Sequence, residues 1–167
     1  MNLFIRPANV EDATAIIDIL NPIIATGLYT AFDTPFSVQE EQDFIRSLPA
    51  RGVFLVAQQP QGGRLLGFQT LTPFADYTQA FDHVGIMGTF VDMDYHRQGI
   101  AAQLFRATYQ AARPLGYKKI FAFVRADNQA GLAAYSVQGF RIIGAAERHA
   151  VINGSYIDEV IIEKWIG

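Results

Sequence analysis

Residues 96–102 read His-Arg-Gln-Gly-Ile-Ala-Ala, between an apolar run, Gly85–Val91, and a segment with helical spacing. The first amides of a helix have no partner within it and lie at the positive end of its dipole, so a helix start suits an anion. Side chains in the first turn would keep phosphate oxygens at a distance. Gly99, Ala101 and Ala102 remove that obstruction, and Arg97 adds a cation beside it. Tight packing of a helix on a sheet favours the same small residues, so both readings stand on local physics. No Gly-Lys-Ser/Thr follows and the spacing is not GxGxxG, which excludes two common nucleotide loops.

Composition narrows the remaining chemistry. The 167 residues carry a net charge of −3 with a sequence pI near 5.5, which argues against a nucleic-acid-binding face. Cysteine is absent, so neither a disulfide nor a thiolate nucleophile is available. The three histidines, His83, His96 and His149, are scattered without metal-ligand spacing, and no metal is expected. The N-terminus lacks the pattern of a signal peptide, and no apolar window has the length of a membrane span. A cytoplasmic protein without membrane or nucleic-acid partners is the expectation, with residues 1–167 forming one domain.

The elements that must hold these residues follow from periodicity. "LFIRPA" (3–8) predicts a short strand, and Asn9 with Asp12 the start of a helix carrying Ile16, Ile17, Leu20, Ile23 and Ile24. An aromatic loop spans 25–36. "SVQE" (37–40) fits a capping box for a second helix that buries Phe44, Ile45 and Leu48. Residues 53–57 and 64–74 read as a hairpin, 83–91 as a strand, and Gly99 to about Pro114 as a helix. A strand over 116–126, a helix over 128–138 and two closing strands around Asn153-Gly154 complete the chain. The order β-α-α-β-β-β-α-β-α-β-β predicts a mixed α/β, α+β-like fold: three layers around a central, mostly antiparallel twisted sheet.

Two segments resemble the GNAT superfamily of N-acetyltransferases. "VDMDYHRQGIA" is similar to its motif A, with Gly99 and Ala101 at the last two signature positions and His96 where Arg or Gln is usual. "NQAGLAAYSVQGF" (128–140) is similar to motif B through Asn128, Tyr135, Gly139 and Phe140, with Gly131 where Ala is usual. The resemblance runs nearly the whole chain. "YTAFDTP" and "NGSYIDEV" resemble the branch of phosphinothricin N-acetyltransferase, which implies a homodimer.

The resemblance implies acetyl-CoA as co-substrate. Its pyrophosphate would lie on Arg97, Gln98, Gly99, Ile100, Ala101 and Ala102, and its pantetheine arm along Phe90 and Val91, with Asn128 also in contact. Tyr135 would protonate the leaving thiolate, a step open to a phenol on general grounds; a core aromatic on an amphipathic helix is the other reading. The branch carries a glutamate base where this chain has Ile86. His83, of the side-chain type that changes charge between pH 5 and 8, is a catalytic candidate, as are Asp82 beside it and Glu159; a strand-edge histidine facing solvent is the alternative. Tyr29, Phe32, Phe36, Phe74 and Tyr77 are candidates to line the acceptor site, with Phe32 and Phe74 singled out. The implied activity is direct acetyl transfer to the primary amine of a small molecule, an amino acid or similar compound. A protein amine as acceptor, or an acyl-CoA-binding module without catalysis, are the competing readings.

Overall fold

A computed structural model describes residues 1–167. Its elements are β1 (Phe4–Pro7), α1 (Ala13–Thr26), α2 (Val38–Arg46), β2 (Val53–Gln58), β3 (Leu65–Pro73), β4 (Val84–Val91), α3 (Ile100–Ala112), β5 (Lys119–Arg125), α4 (Gln129–Val137), β6 (Arg141–Ile152) and β7 (Ser155–Trp165). This is the element order expected from periodicity. The sheet runs β1-β2-β3-β4-β5-β7-β6 and is antiparallel except where β4 meets β5.

Local signals explain most boundaries. Ser37 Oγ accepts the Glu40 amide at 3.1 Å while Glu40 returns to the Ser37 amide at 2.7 Å, closing the capping box of α2. Asn153 and Gly154 both hold positive φ, 51° and 78°, which turns β6 directly into β7. Four details depart from the sequence expectation. Phe44, expected in the buried face of α2, is exposed and touches the core only edge-on against Phe54 at 5.8 Å. A 3₁₀ turn, Val10–Asp12, precedes α1, because the Asp12 carboxylate accepts the Asn9 amide at 2.8 Å and pairs with Arg6 from β1. The helix expected to reach Pro114 ends at Ala112 and tightens into a 3₁₀ turn, Arg113–Leu115, because Pro114 offers no amide to continue it. Register shifts at Ile142/Gly144 and Ala146/Ala150 bend β6, where the sequence suggests an unbroken strand.

The sheet separates two cores. On one face α1 buries Ile16, Ile19, Leu20, Ile23 and Ile24 against Phe54, Val56 and Phe68. On the other, α3 and α4 bury Ile100, Leu104, Phe105 and Tyr135 against Leu71, Met87, Ile120, Ala122 and Val160. Alternation along the strands sets which side chains face which layer.

Candidate active site

The parallel strands β4 and β5 pair at only three positions, Val84↔Lys119, Gly85↔Ile120 and Ile86↔Phe121. Beyond Ile86 they splay. The β3–β4 ladder extends from the Phe74 amide on Val84 O to the Asp92 amide on Leu66 O. Antiparallel alternation therefore turns the backbone groups of Ile86, Gly88 and Phe90 toward β3 and those of Met87, Thr89 and Val91 toward the opening beside β5. Of the two strand residues nominated from the sequence, Val91 faces the opening. Phe90 has its backbone in the β3 ladder, and its ring stacks on Phe68 at 5.0 Å and on Phe32 at 6.2 Å, on the α1 side of the sheet.

The loop leaving β4 builds the start of α3. Asp92 is buried, accepts the Asp94 amide at 3.0 Å and pairs with Arg64. His96 lies against the Val91 carbonyl, 3.1 Å away, so the side chain at the variable motif position braces the loop. Arg97 and Gly99 adopt positive φ, 59° and 79°. At Gly99 an added Cβ would meet nothing within 4 Å, so the glycine serves its left-handed backbone conformation and an open approach. Inside the chain no acceptor meets the amides of Arg97, Gln98, Gly99, Ile100, Ala101 or Ala102. Arg97 is exposed and forms no ion pair. Ile100 is buried in the core beneath and anchors the turn. Consecutive free amides with one adjacent guanidinium fit a pyrophosphate.

Tyr135 reaches the splay from α4. Its ring packs edge-on against Phe105 (5.2 Å) and Phe140 (5.0 Å), and its hydroxyl stands 2.9 Å from Thr89 Oγ1. It is a core aromatic whose polar tip touches the strand that opens. Burial pushes its phenol up to about 12, against the opposing hydrogen bond from Thr89. A phenol of that kind keeps its proton at neutral pH.

Asn128 caps α4, accepting the Gly131 amide at 2.9 Å and reaching the Tyr29 carbonyl at 3.4 Å. A Cβ at position 131 would lie 2.5 Å from the Asn128 side chain, which accounts for Gly131 where alanine is usual.

The α1 face of the sheet carries the aromatic residues. Phe74 packs on Phe81 (5.4 Å) and Phe121 (5.5 Å), Phe121 on Phe123 (5.3 Å), and Phe123 on His149 (6.3 Å). Phe32 belongs to a second group with Phe36 and Phe90. The residue between these groups is Ile86, paired with Thr72 and Phe121. Asn21 fastens the loop that carries Phe32 by exchanging two hydrogen bonds with the Phe36 backbone, each 2.9 Å. Arg125 fastens it again through Gly27 O (2.7 Å) and Thr30 O (3.2 Å), its other nitrogens engaged by Asp127.

The candidate bases separate. His83 is exposed at the entry of β4, the end opposite the splay, with its ring 6.3 Å from Trp165. Asp82 pairs with Arg51 at 3.8 Å on the same end. Glu159 is buried beside Arg125 in the β5–β7 register, at the end of β5 where the sheet opens, and makes no ion pair. Sequence reasoning missed Gln69, fully buried on β3 and hydrogen-bonded to Thr89. It also missed Thr89 itself. Only a polar residue inside an apolar strand pattern signals either one. No cluster of metal-ligating side chains is present.

Known proteins share this fold. The chain is 24% identical over 154 residues to phosphinothricin N-acetyltransferase of Streptomyces viridochromogenes, covering 92% of this chain and 82% of that protein. The structure of an N-acetyltransferase from Staphylococcus aureus superposes with a TM-score of 0.89 at 24% identity over 100% of both chains. A phosphinothricin acetyltransferase from Sinorhizobium meliloti, solved with acetyl-CoA, gives 0.90 at 18% identity over 100% of this chain and 90% of that one. Residues 22–140 match the model of the acetyltransferase (GNAT) family. With that match spanning most of a chain whose sheet opens beside an acceptor-free helix start, the protein belongs to the GNAT family of acetyltransferases.

Proposed function

We propose that residues 1–167 form one acetyltransferase domain that moves an acetyl group from acetyl-CoA to the primary amine of a small molecule, an amino acid or a compound like one. The observation that carries this reading is the opening of β4 from β5 directly beside the unpartnered amides of residues 97–102. In this reading those amides and Arg97 bind the pyrophosphate, and the free backbone groups of Thr89 and the amide of Val91 grip the pantetheine arm. The Asn128 cap holds α4, and with it Tyr135, at the splay. Much of the rate comes from holding amine and thioester together. A backbone amide at the splay polarises the carbonyl as the amine attacks. As the carbon–nitrogen bond forms and the carbon–sulfur bond breaks, Tyr135 gives its proton to the departing sulfur.

The attacking amine must also shed a proton. Ile86 offers no acceptor. His83 lies at the wrong end of β4, so a catalytic role for it would need an acceptor site reaching that far. Glu159, at the open end of β5, is the better receiver, directly or through water. Phe32 and Phe74 contribute apolar walls on either side of Ile86 and favour a small acceptor over a protein tail. The relative from Streptomyces viridochromogenes, named for a small amino-acid-like amine, supports the same class. The place of action in this reading is the cytoplasm; no helix is long and apolar enough to cross a membrane.

β6 is an edge strand of 12 residues with Ile142, Ile143 and Val151 exposed, a surface suited to a second copy of the chain. We propose a homodimer through it.

The test is calorimetric titration with acetyl-CoA, followed by CoA release across a panel of amino acids, phenethylamine, tryptamine and spermidine. Binding with release on a panel amine is expected. Binding without release on any of them would favour a macromolecular acceptor or a binding module, and absence of binding would overturn the reading.

A further inference from the structure

Gln69 is the one glutamine with no accessible surface, and its position needs a reason. It lies on β3, on the face covered by α3. Its neighbour Gly67 would touch Ile100 and Leu104 if it bore a Cβ. Its Nε2 donates to Thr89 Oγ1 at 2.8 Å, while its Oε1 has no partner. A buried amide oxygen without a donor is destabilising, and an apolar side chain of the same size would avoid the loss. Packing therefore does not call for a glutamine here.

Its single hydrogen bond leads to the reacting centre. Gln69 and Thr89 are direct register partners across β3 and β4, and Thr89 Oγ1 stands 2.9 Å from Tyr135 Oη. Thr89 is β-branched and stiff at χ1, so its hydroxyl oxygen is fixed in space. We propose that Gln69 and Thr89 are positioning residues for Tyr135, a buried hydrogen-bond chain that sets the direction in which the phenol presents its proton. Gln69 gives a hydrogen to Thr89, which leaves the Thr89 hydrogen free to point to Tyr135 Oη. The Tyr135 hydrogen is then not taken up by Thr89 and is free to turn into the splay. With the Gln69 amide reversed, Thr89 would donate to the amide oxygen and accept from Tyr135, and the phenol would hold its proton inward, away from the sulfur. Gln69 thus decides the polarity of the chain.

This inference rests on the reading of Tyr135 as the proton donor, and the experiment separates the two. The probe is CoA itself, which needs no amine: the thiol of bound CoA is titrated by thiolate absorbance, with desulfo-CoA as the blank. In the parent protein a hydrogen bond from Tyr135 lowers that thiol by about one pH unit relative to free CoA. Thr89→Val is expected to abolish the shift as fully as Tyr135→Phe does, and Thr89→Ser to restore it. Gln69→Met is expected to abolish it while the urea midpoint stays level or rises, which no purely structural glutamine would do. In the panel assay, kcat should fall about tenfold in Thr89→Val, with KM for acetyl-CoA within about twofold and no further loss on adding Tyr135→Phe. A shift lost in Tyr135→Phe but intact in Thr89→Val and Gln69→Met would overturn the chain and leave the donor standing. A shift unchanged in Tyr135→Phe, or no binding of CoA, would overturn both.

Discussion

A phenol that must protonate a departing thiolate has to keep its proton until that moment. In the proposed mechanism burial does this for Tyr135, holding it near 12, so it stays protonated through the range in which amines become nucleophilic. Tyr135→Phe is expected to lower kcat about 10- to 100-fold with the Kd for acetyl-CoA within about twofold, measured by CoA release and calorimetry. The parent enzyme should show no basic limb from this group below about pH 10. Glu41 raises a different single-residue question. It is buried on α2 without a partner, and burial pushes its carboxyl above the ordinary range. A carboxyl raised in the folded state contributes fully below its unfolded pKa, and that contribution is lost as pH rises through the folded value. Glu41→Gln should therefore raise the urea midpoint at pH 7 and leave it unchanged near pH 3.5; an equal shift at both would remove the charge explanation. The Gly99→Glu variant tests the helix start: it should abolish CoA binding, because a carboxylate would stand where the phosphates approach.

At the scale of elements, the ion pair between Arg6 and Asp12 joins β1 to the turn before α1 through two 2.8 Å hydrogen bonds. The Arg6 hydrogen bond, foremost, holds the Asp12 carboxyl below its usual range. The stability it gives is present above the unfolded pKa and lost as pH falls through the folded one. Asp12→Asn should cost about 1–2 kcal/mol at pH 7 in chemical denaturation, moderated by solvent screening, with the gap closing in acid. These elements were largely readable beforehand, because each announces itself locally: Ser37 and Glu40 as a cap, Asn153-Gly154 as a turn, Ile16 to Ile24 as a helical stripe. What periodicity could not show depends on partners distant in sequence. The bends in β6 answer to β7, and the outward turn of Thr89 and Val91 follows from a register with β3 that no local pattern encodes. Gly131 is a small case of the same limit. Its identity looks like a weakness in α4 until the Asn128 cap is seen to occupy the space of a methyl group.

For the whole molecule, the long open edge of β6 is the feature with the clearest consequence for assembly. Ile142→Glu, at a position 66% exposed, should convert a dimer to a monomer in light scattering, with the thermal midpoint of the monomer little changed. A dimer that survives this change would point to another surface. The candidate site was only half legible in the sequence. Tyr135, Asn128 and Gly99 sit in motifs, whereas the proposed acceptor face is assembled from β3, β4, β5, β6 and the loop before α2. Aromatic residues there could be named from the sequence but not grouped.

The three-rung seam between β4 and β5 has a further consequence. It divides the sheet into β1–β4 and β5–β7, and each part is a continuous stretch of chain with mostly near-neighbour strand contacts. Such parts can open as separate cooperative units, with the seam as the least protected line between them. A molecule bound in the opening would replace the missing rungs and tie the two units into one. In native-state hydrogen exchange, the amides of Thr89 and Val91 should exchange early in the free protein. With CoA bound they should join the slowest class, and the gap in opening free energy between the two halves should narrow.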